Sequence, residues 1–237
     1  MRFKAVTHKG KVRKSNEDNY FVDKESSFFL VADGMGGHAA GEVASKIAVE
    51  KSSDFNLPKK NNNILVNLKK LINNVNEQII EESQRNSEYL GMGTTYSAAL
   101  IREGRLYYAH VGDSRIYIFR KGKLKQVNKE HSLVADLIRN GKLEKKEAFN
   151  HPQKHILTQA LGLEKELEID AGKEDISTGD IILLCTDGLS DLIREEEIED
   201  LINVFNRDLD LLAENLLNTA LKNGGSDNIT FILILNS

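Results

Sequence analysis

Phe28-Phe29-Leu30-Val31-Ala32-Asp33-Gly34-Met35-Gly36-Gly37-His38 is an apolar run that stops abruptly at an acid and a glycine-rich turn. Short apolar runs bounded by glycine predict buried strands, so Asp33 is expected at a strand's carboxyl end. The design recurs. Ile181-Ile182-Leu183-Leu184-Cys185-Thr186 runs into Asp187-Gly188, Leu106-Tyr107-Tyr108-Ala109-His110-Val111 runs into Gly112-Asp113, and Asp227-Asn228 opens the apolar run Ile229–Leu235.

Outward from that first strand, residues 38–54 place Ala40, Val43, Ala44, Ile47 and Ala48 on one stripe. Residues 64–83 carry Leu65, Leu68, Leu71, Ile72, Val75, Ile79 and Ile80 at helical spacing. Both read as amphipathic helices. Residues 3–8 alternate weakly, as an outer strand does. Residues 96–102, 106–111 and 115–120 read as strands, and the short turns at Glu103-Gly104, Asp113-Ser114 and Lys121-Gly122 predict that they form an antiparallel meander. The segment 130–163 breaks the pattern, with a helix expected over 132–140 and then a polar, lysine-rich run. An excursion of that kind inside a domain is more often functional than idle. Two further helices are expected near 195–205 and 209–221. Strands arrive mainly in a run with helices grouped around them, which favours α+β over alternating α/β.

The 237 residues are 40% hydrophobic, enough for a substantial core, and no stretch resembles a long linker, so a single domain over 1–237 is expected. A formal charge of -4 from well-mixed acids and bases suggests neither nucleic acid nor a membrane surface as partner. Met1-Arg2-Phe3-Lys4 leads straight into a strand and not into a signal sequence, and no apolar run reaches membrane-spanning length. The single cysteine, Cys185, lies in an apolar run and reads as core. A cytoplasmic monomer is expected.

One Asp-Gly pair is an ordinary turn signal. Repetition changes its meaning. Asp33 and Asp187 both end buried strands, while Asp113 and Asp227 adjoin strands at their turns. Carboxylates buried together repel one another unless a cation compensates them. Oxygen donors without a cysteine cluster or a paired-histidine spacing suit Mg²⁺ or Mn²⁺ better than Zn²⁺ or copper, and two such ions can activate a water and clamp a phosphoryl oxygen. In the polar stretch Arg13-Lys14-Ser15-Asn16-Glu17-Asp18, the choice lies between a solvated loop and a loop whose Glu17 and Asp18 add oxygen ligands while Arg13 receives an anion. A rival exists in Gly34-Met35-Gly36-Gly37-His38-Ala39, which fits a dinucleotide fingerprint with Asp54 at the distance of a ribose-binding acid. It fails in context, because Asp54 follows no second buried strand and Asp33 would set negative charge against the pyrophosphate.

Six motifs in order then resemble one family: Arg13-x-x-Asn16-Glu17-Asp18, residues 31–38, Gly93-Thr94-Thr95, Val111-Gly112-Asp113-Ser114-Arg115, Cys185-Thr186-Asp187-Gly188-Leu189 and Gly225-Ser226-Asp227-Asn228-Ile229-Thr230. Together they are similar to the metal-dependent Ser/Thr protein phosphatases of type 2C in their compact bacterial form. The resemblance covers essentially the whole chain. It implies two packed antiparallel β-sheets flanked by helices, an α-β-β-α sandwich, with a dinuclear Mn²⁺ or Mg²⁺ centre at one edge. It implies that Asp33 bridges both ions, that the Gly34 carbonyl contributes to one, and that Asp187 and Asp227 complete the other. Glu17 and Asp18 would act nearby, Asp113 with Asp187 would hold a third ion, Arg13 would bind phosphate, and 130–163 would be a flap beside the site. The substrates implied are phosphorylated proteins, opposite a Ser/Thr kinase; the competing reading is a catalytically silent module of the same fold. Animal members place a proposed proton-donating histidine directly after the Asp-Gly, where this chain has Met35. His38 is the candidate for that role, His110 reads as a satisfied core histidine, and His131, His151 and His155 fall in or beside the flap.

Overall fold

The protein is described from a computed structural model over residues 1–37, 40–55, 63–206 and 208–237. In chain order the elements are β1 (Arg2–His8), β2 (Asp18–Asp23), β3 (Phe28–Met35), α1 (Ala40–Ser53), α2 (Ile64–Arg85), β4 (Gly93–Thr94), β5 (Tyr96–Arg102) and β6 (Arg105–Val111). They continue with β7 (Arg115–Arg120), β8 (Lys123–Gln126), α3 (Leu133–Arg139), α4 (Lys145–Ala148), β9 (Asp170–Asp175), β10 (Ile181–Cys185), α5 (Asp187–Ser190), α6 (Glu195–Phe205), α7 (Leu209–Lys222) and β11 (Ile229–Leu235). One sheet runs β1-β11-β10-β7-β8, the other β2-β3-β5-β6-β9 with β4 on the end of β3. The strand pairs are antiparallel.

Three apolar clusters separate four layers, and the alternation of side chains along a strand explains them. From β3, Phe28, Leu30 and Ala32 face α1 and α2, while Phe29 and Val31 face the other sheet. From β10, Ile181, Leu183 and Cys185 face α6 and α7, while Ile182 and Leu184 meet the sheet of β3 and β5 between the layers. A strand covered on both faces needs apolar residues at every position, which is why these runs are continuous. The edge strand β1, less fully buried, alternates only weakly. Helix α2 buries Ile64, Leu68, Leu71, Ile72, Val75 and Ile79, each contributing roughly 1.5–3 kcal/mol. Its one buried amide, Asn76, donates to the carbonyl of Glu164 and accepts from the Gly162 N–H, tying the end of the 130–163 excursion to the helix. No helix among the described residues is long and apolar enough to cross a membrane.

The expected meander breaks at Asp113-Ser114. Turns at Glu103-Gly104 and Lys121-Gly122 do close the β5–β6 and β7–β8 hairpins, but β7 pairs with β10 and β8 in the opposite sheet. The free edge of β6 is taken by β9, an Asp-Ala-Gly-Lys-Glu-Asp segment without an apolar pattern, because an edge strand need not be buried on both faces. Residues 112–114 therefore carry the chain between sheets, and Asp113 and Ser114 are buried where a hairpin turn would be exposed.

Candidate metal centre

Asp33 sits on β3 directly opposite Asp18 of β2. Its backbone is fixed on three sides. The Asp33 N–H donates to Thr95 Oγ1, and its carbonyl accepts from the Thr95 N–H and from Thr94 Oγ1, all at 2.9 Å. Beyond it the chain is crowded. A Cβ on Gly34 would lie 2.1 Å from the Gly41 carbonyl oxygen and 2.5 Å from that of Glu17, and one on Gly41 would lie 2.3 Å from Glu17 Oε2. Glycine at both positions lets the start of α1 and the Glu17 loop close onto the Asp33 strand end.

Asp187 follows β10, and its neighbour Gly188 packs against the loop of Asp227 and Asn228, since a Cβ there would meet the Asn228 carbonyl oxygen at 1.8 Å. Asn228 organises the polar N-terminal loop. Its side-chain amide donates to the carbonyls of Lys9 and Ser15, and its Oδ1 accepts from the Glu17 N–H. That loop carries Arg13, whose Nη2 lies 2.8 Å from Asp227 Oδ2. Buried Asp18 accepts from Thr186 Oγ1 at 2.9 Å through Oδ2, while among the described residues its Oδ1 and the buried Oδ1 of Asp187 have no partner.

The electrostatics record how close these acids are. Burial pushes Asp33 well above the usual carboxylate range, and the charges of Asp18, Asp187, Asp113 and Asp227 push it further. Burial likewise raises Asp113, with Asp187, Glu130 and Asp191 adding to the effect. Asp18 rises to about 7 through burial, despite hydrogen bonds from Thr230 and Thr186. Asp227 is raised by burial and by Asp187, and Glu17 by burial. Burial also acts to raise Asp187, but its polar surroundings, His155 and Asp33 first among them, outweigh burial and lower it.

The structure thus brings Asp18, Asp33, Asp113, Asp187 and Asp227 into one electrostatic cluster, with Glu17 and Arg13 at its rim and Gly34 next to Asp33 in the chain. His38 lies outside the described residues. His110 is the satisfied core histidine expected, fully buried between Ser97 Oγ and the Gly112 carbonyl. Sequence reasoning missed Asn228 as an organiser, Thr94 and Thr95 as clamps on Asp33, and Asp191. The last accepts from Lys154 at 3.1 Å, and His155 Nδ1 stands 3.6 Å from Asp191 and 3.8 Å from Asp187. Lys145–Glu195 at 2.6 Å, and Phe149 beneath both Lys154 and Arg194, close the same side. A cavity of about 400 Å³ lies there, reaching from Val134 and Phe149 to Asp113, Asp187 and Asp191.

Carboxylates buried this close together, two of them with an oxygen that no described residue satisfies, repel one another unless a cation compensates them. The donors are oxygens, so hard divalent cations such as Mg²⁺ or Mn²⁺ fit the site. The model of the family described as Protein phosphatase 2C matches residues 7–223, and the chain belongs to that family. It is 40% identical to "Serine/threonine phosphatase stp" of Listeria welshimeri, over 96% of this chain and 93% of that one. Its fold is similar to the crystal structure of the Mycobacterium tuberculosis serine/threonine phosphatase PstP/Ppp, with a TM-score of 0.90, 35% identity and coverage of 98% and 97% of the two chains. A structure of the catalytic domain of PstP in complex with 2 manganese ions superposes with a TM-score of 0.88 at 33% identity, over 98% of this chain and 96% of that one.

Proposed function

We propose that the chain removes phosphate from phosphoserine and phosphothreonine in proteins, in opposition to a Ser/Thr kinase, using two divalent cations and a third beside them. The observation that carries this reading is the convergence of five aspartates from separate parts of the chain, two of which keep a buried oxygen without a partner. The names of the relatives and the manganese ions of the PstP structure support it.

Asp33, the Gly34 carbonyl, Asp187 and Asp227 would together hold the two ions. Glu17 and Asp18 stand close by, and Asp113 with Asp187 would hold the third. Bound Mn²⁺ or Mg²⁺ supplies Lewis acidity toward a phosphoryl oxygen and lowers the pKa of water. The remaining work belongs to the protein. Thr94 and Thr95 keep Asp33 still, and Asn228 holds the Glu17 loop against the site. Arg13 is half exposed, and its guanidinium lies beside Asp227 at the rim, placed to trade that partner for an incoming phosphate through its planar fork. The segment 130–163 is the flap, held over the cavity by Lys145 and Lys154.

The test is hydrolysis of a phosphothreonine peptide by the full chain. Activity should fall to background with chelator and return with added Mn²⁺. Full turnover after rigorous metal removal would refute the reading, and absence of turnover with Mn²⁺ would favour a catalytically silent member of the fold.

A further inference from the structure

Among the described residues no hydrogen bond holds the Asp113 carboxylate, so its direction is set by its main chain. That main chain is an unusual passage. Gly112 has φ +112°, a conformation open to glycine, and a Cβ there would strike the Thr95 side chain at 2.6 Å. The Gly112 peptide is gripped at both polar ends by histidines. Its N–H donates to His131 Nδ1 at 3.2 Å, and its carbonyl accepts from the His131 main-chain N–H at 2.6 Å and from His110 Nε2 at 2.8 Å.

These contacts fix the tautomers. His110 must carry its proton on Nε2 to donate to a carbonyl, so its Nδ1 accepts from Ser97 Oγ at 2.7 Å; His131 must leave Nδ1 bare and carry its proton on Nε2. The rings stack with centroids 5.4 Å apart, an arrangement that suits two neutral imidazoles. His131 is also the root of the flap. Its carbonyl accepts from the Thr158 N–H, and its neighbour Ser132 bridges Leu157, so both arms of the excursion meet where Gly112 is held.

We infer that His131 is a positioning residue, whose Nδ1 fixes the Gly112 peptide so that the Asp113 carboxylate faces the acid cluster, and that it thereby joins the flap root to the third-cation position. The inference rests on the proposed role of Asp113 as a cation ligand. Outer-shell partners of this kind are typically worth 10- to 100-fold in metal affinity.

The experiment is a Mn²⁺ titration of the full-length chain, read by the paramagnetic signal of free Mn²⁺, with melting temperatures recorded in parallel. D113N should abolish the weakest binding step. H131L, which removes the acceptor, should weaken that same step by about 10-fold or more and leave the tighter steps in place. H131N, whose amide oxygen can stand where Nδ1 stood, should restore it although its ring stacking is lost. If H131L is too unstable to purify, H131Q makes the same comparison, because its acceptor reaches beyond the Nδ1 position. A wild-type weak step in H131L or H131Q, with D113N defective, overturns the positioning role alone. A wild-type titration in D113N overturns the assignment of Asp113 and the inference with it.

Discussion

Strand β10 carries an aspartate just beyond each end, and both are flanked by glycine: Gly179-Asp180 at one end and Asp187-Gly188 at the other. Asp180, 3% exposed, is saturated. Its carboxylate accepts from Arg120 Nε at 3.0 Å and Nη2 at 2.5 Å, and from the Ser177 N–H at 2.7 Å. Asp187 has a buried Oδ1 with no partner among the described residues and shares its surroundings with Asp33, Asp113 and Asp227. Two acids with the same local signature therefore do opposite work. Asp180 is compensated by the protein and closes a loop; Asp187, with the His155 imidazole 3.8 Å away and other carboxylates around it, keeps one buried oxygen that no described residue satisfies. A buried carboxylate is informative about function in proportion to what it lacks.

The sharpest way to break this contrast is to neutralise one end and then the other. Asp187→Asn or Asp33→Asn should lower turnover of a phosphothreonine peptide by about 10²- to 10³-fold or more, with unchanged circular dichroism. Near-normal turnover in either would make Asp187 no different from Asp180. Arg13→Ala removes one charge-assisted contact to phosphate and should lower kcat/KM by roughly 10- to 100-fold, mostly through KM. Unchanged kinetics would take Arg13 out of the site. Arg120→Met should leave kcat alone but lower unfolding stability by about 2–4 kcal/mol, because it strands the Asp180 charge. Urea denaturation reads that loss, and a fall in kcat instead would mean that the two ends of β10 communicate.

The last effect concerns pH and is read only as a change in stability. Asp18 is raised from 3.8 to about 7, chiefly by burial. Between those values the folded, metal-free protein keeps a proton that the unfolded chain has released, so ionising Asp18 costs stability increasingly as pH climbs through that interval. Asp18→Asn should therefore gain on the parent from about pH 4 to about pH 7 and hold a constant lead above. Parallel stability curves for the two proteins in chelator would place Asp18 outside the cluster.

Much of this was legible in the chain. The unbroken apolar runs of β3, β10 and β11 follow from burial on both faces, and the stripe on α2 and the bounds of α6 appear where periodicity puts them. Asp33, Asp113, Asp187 and Asp227 stood out because acids repeatedly ended or adjoined such runs. What escaped notice had weak local signals. β9 is an edge strand without an apolar pattern, Asn228 acts through side-chain bonds to residues more than two hundred positions away, and Asp113-Ser114 has the chemistry of a hairpin turn but carries the chain across two sheets.

The sequence by itself determined the buried strands, the long helices and the set of acids available, because burial and periodicity act within a few residues of each position. Only the tertiary structure decided which acids lack a counter-charge, since that depends on what the rest of the chain brings within a few ångströms. It brings Arg120 into contact with Asp180, whereas it surrounds Asp187 with other carboxylates and leaves His155 3.8 Å away.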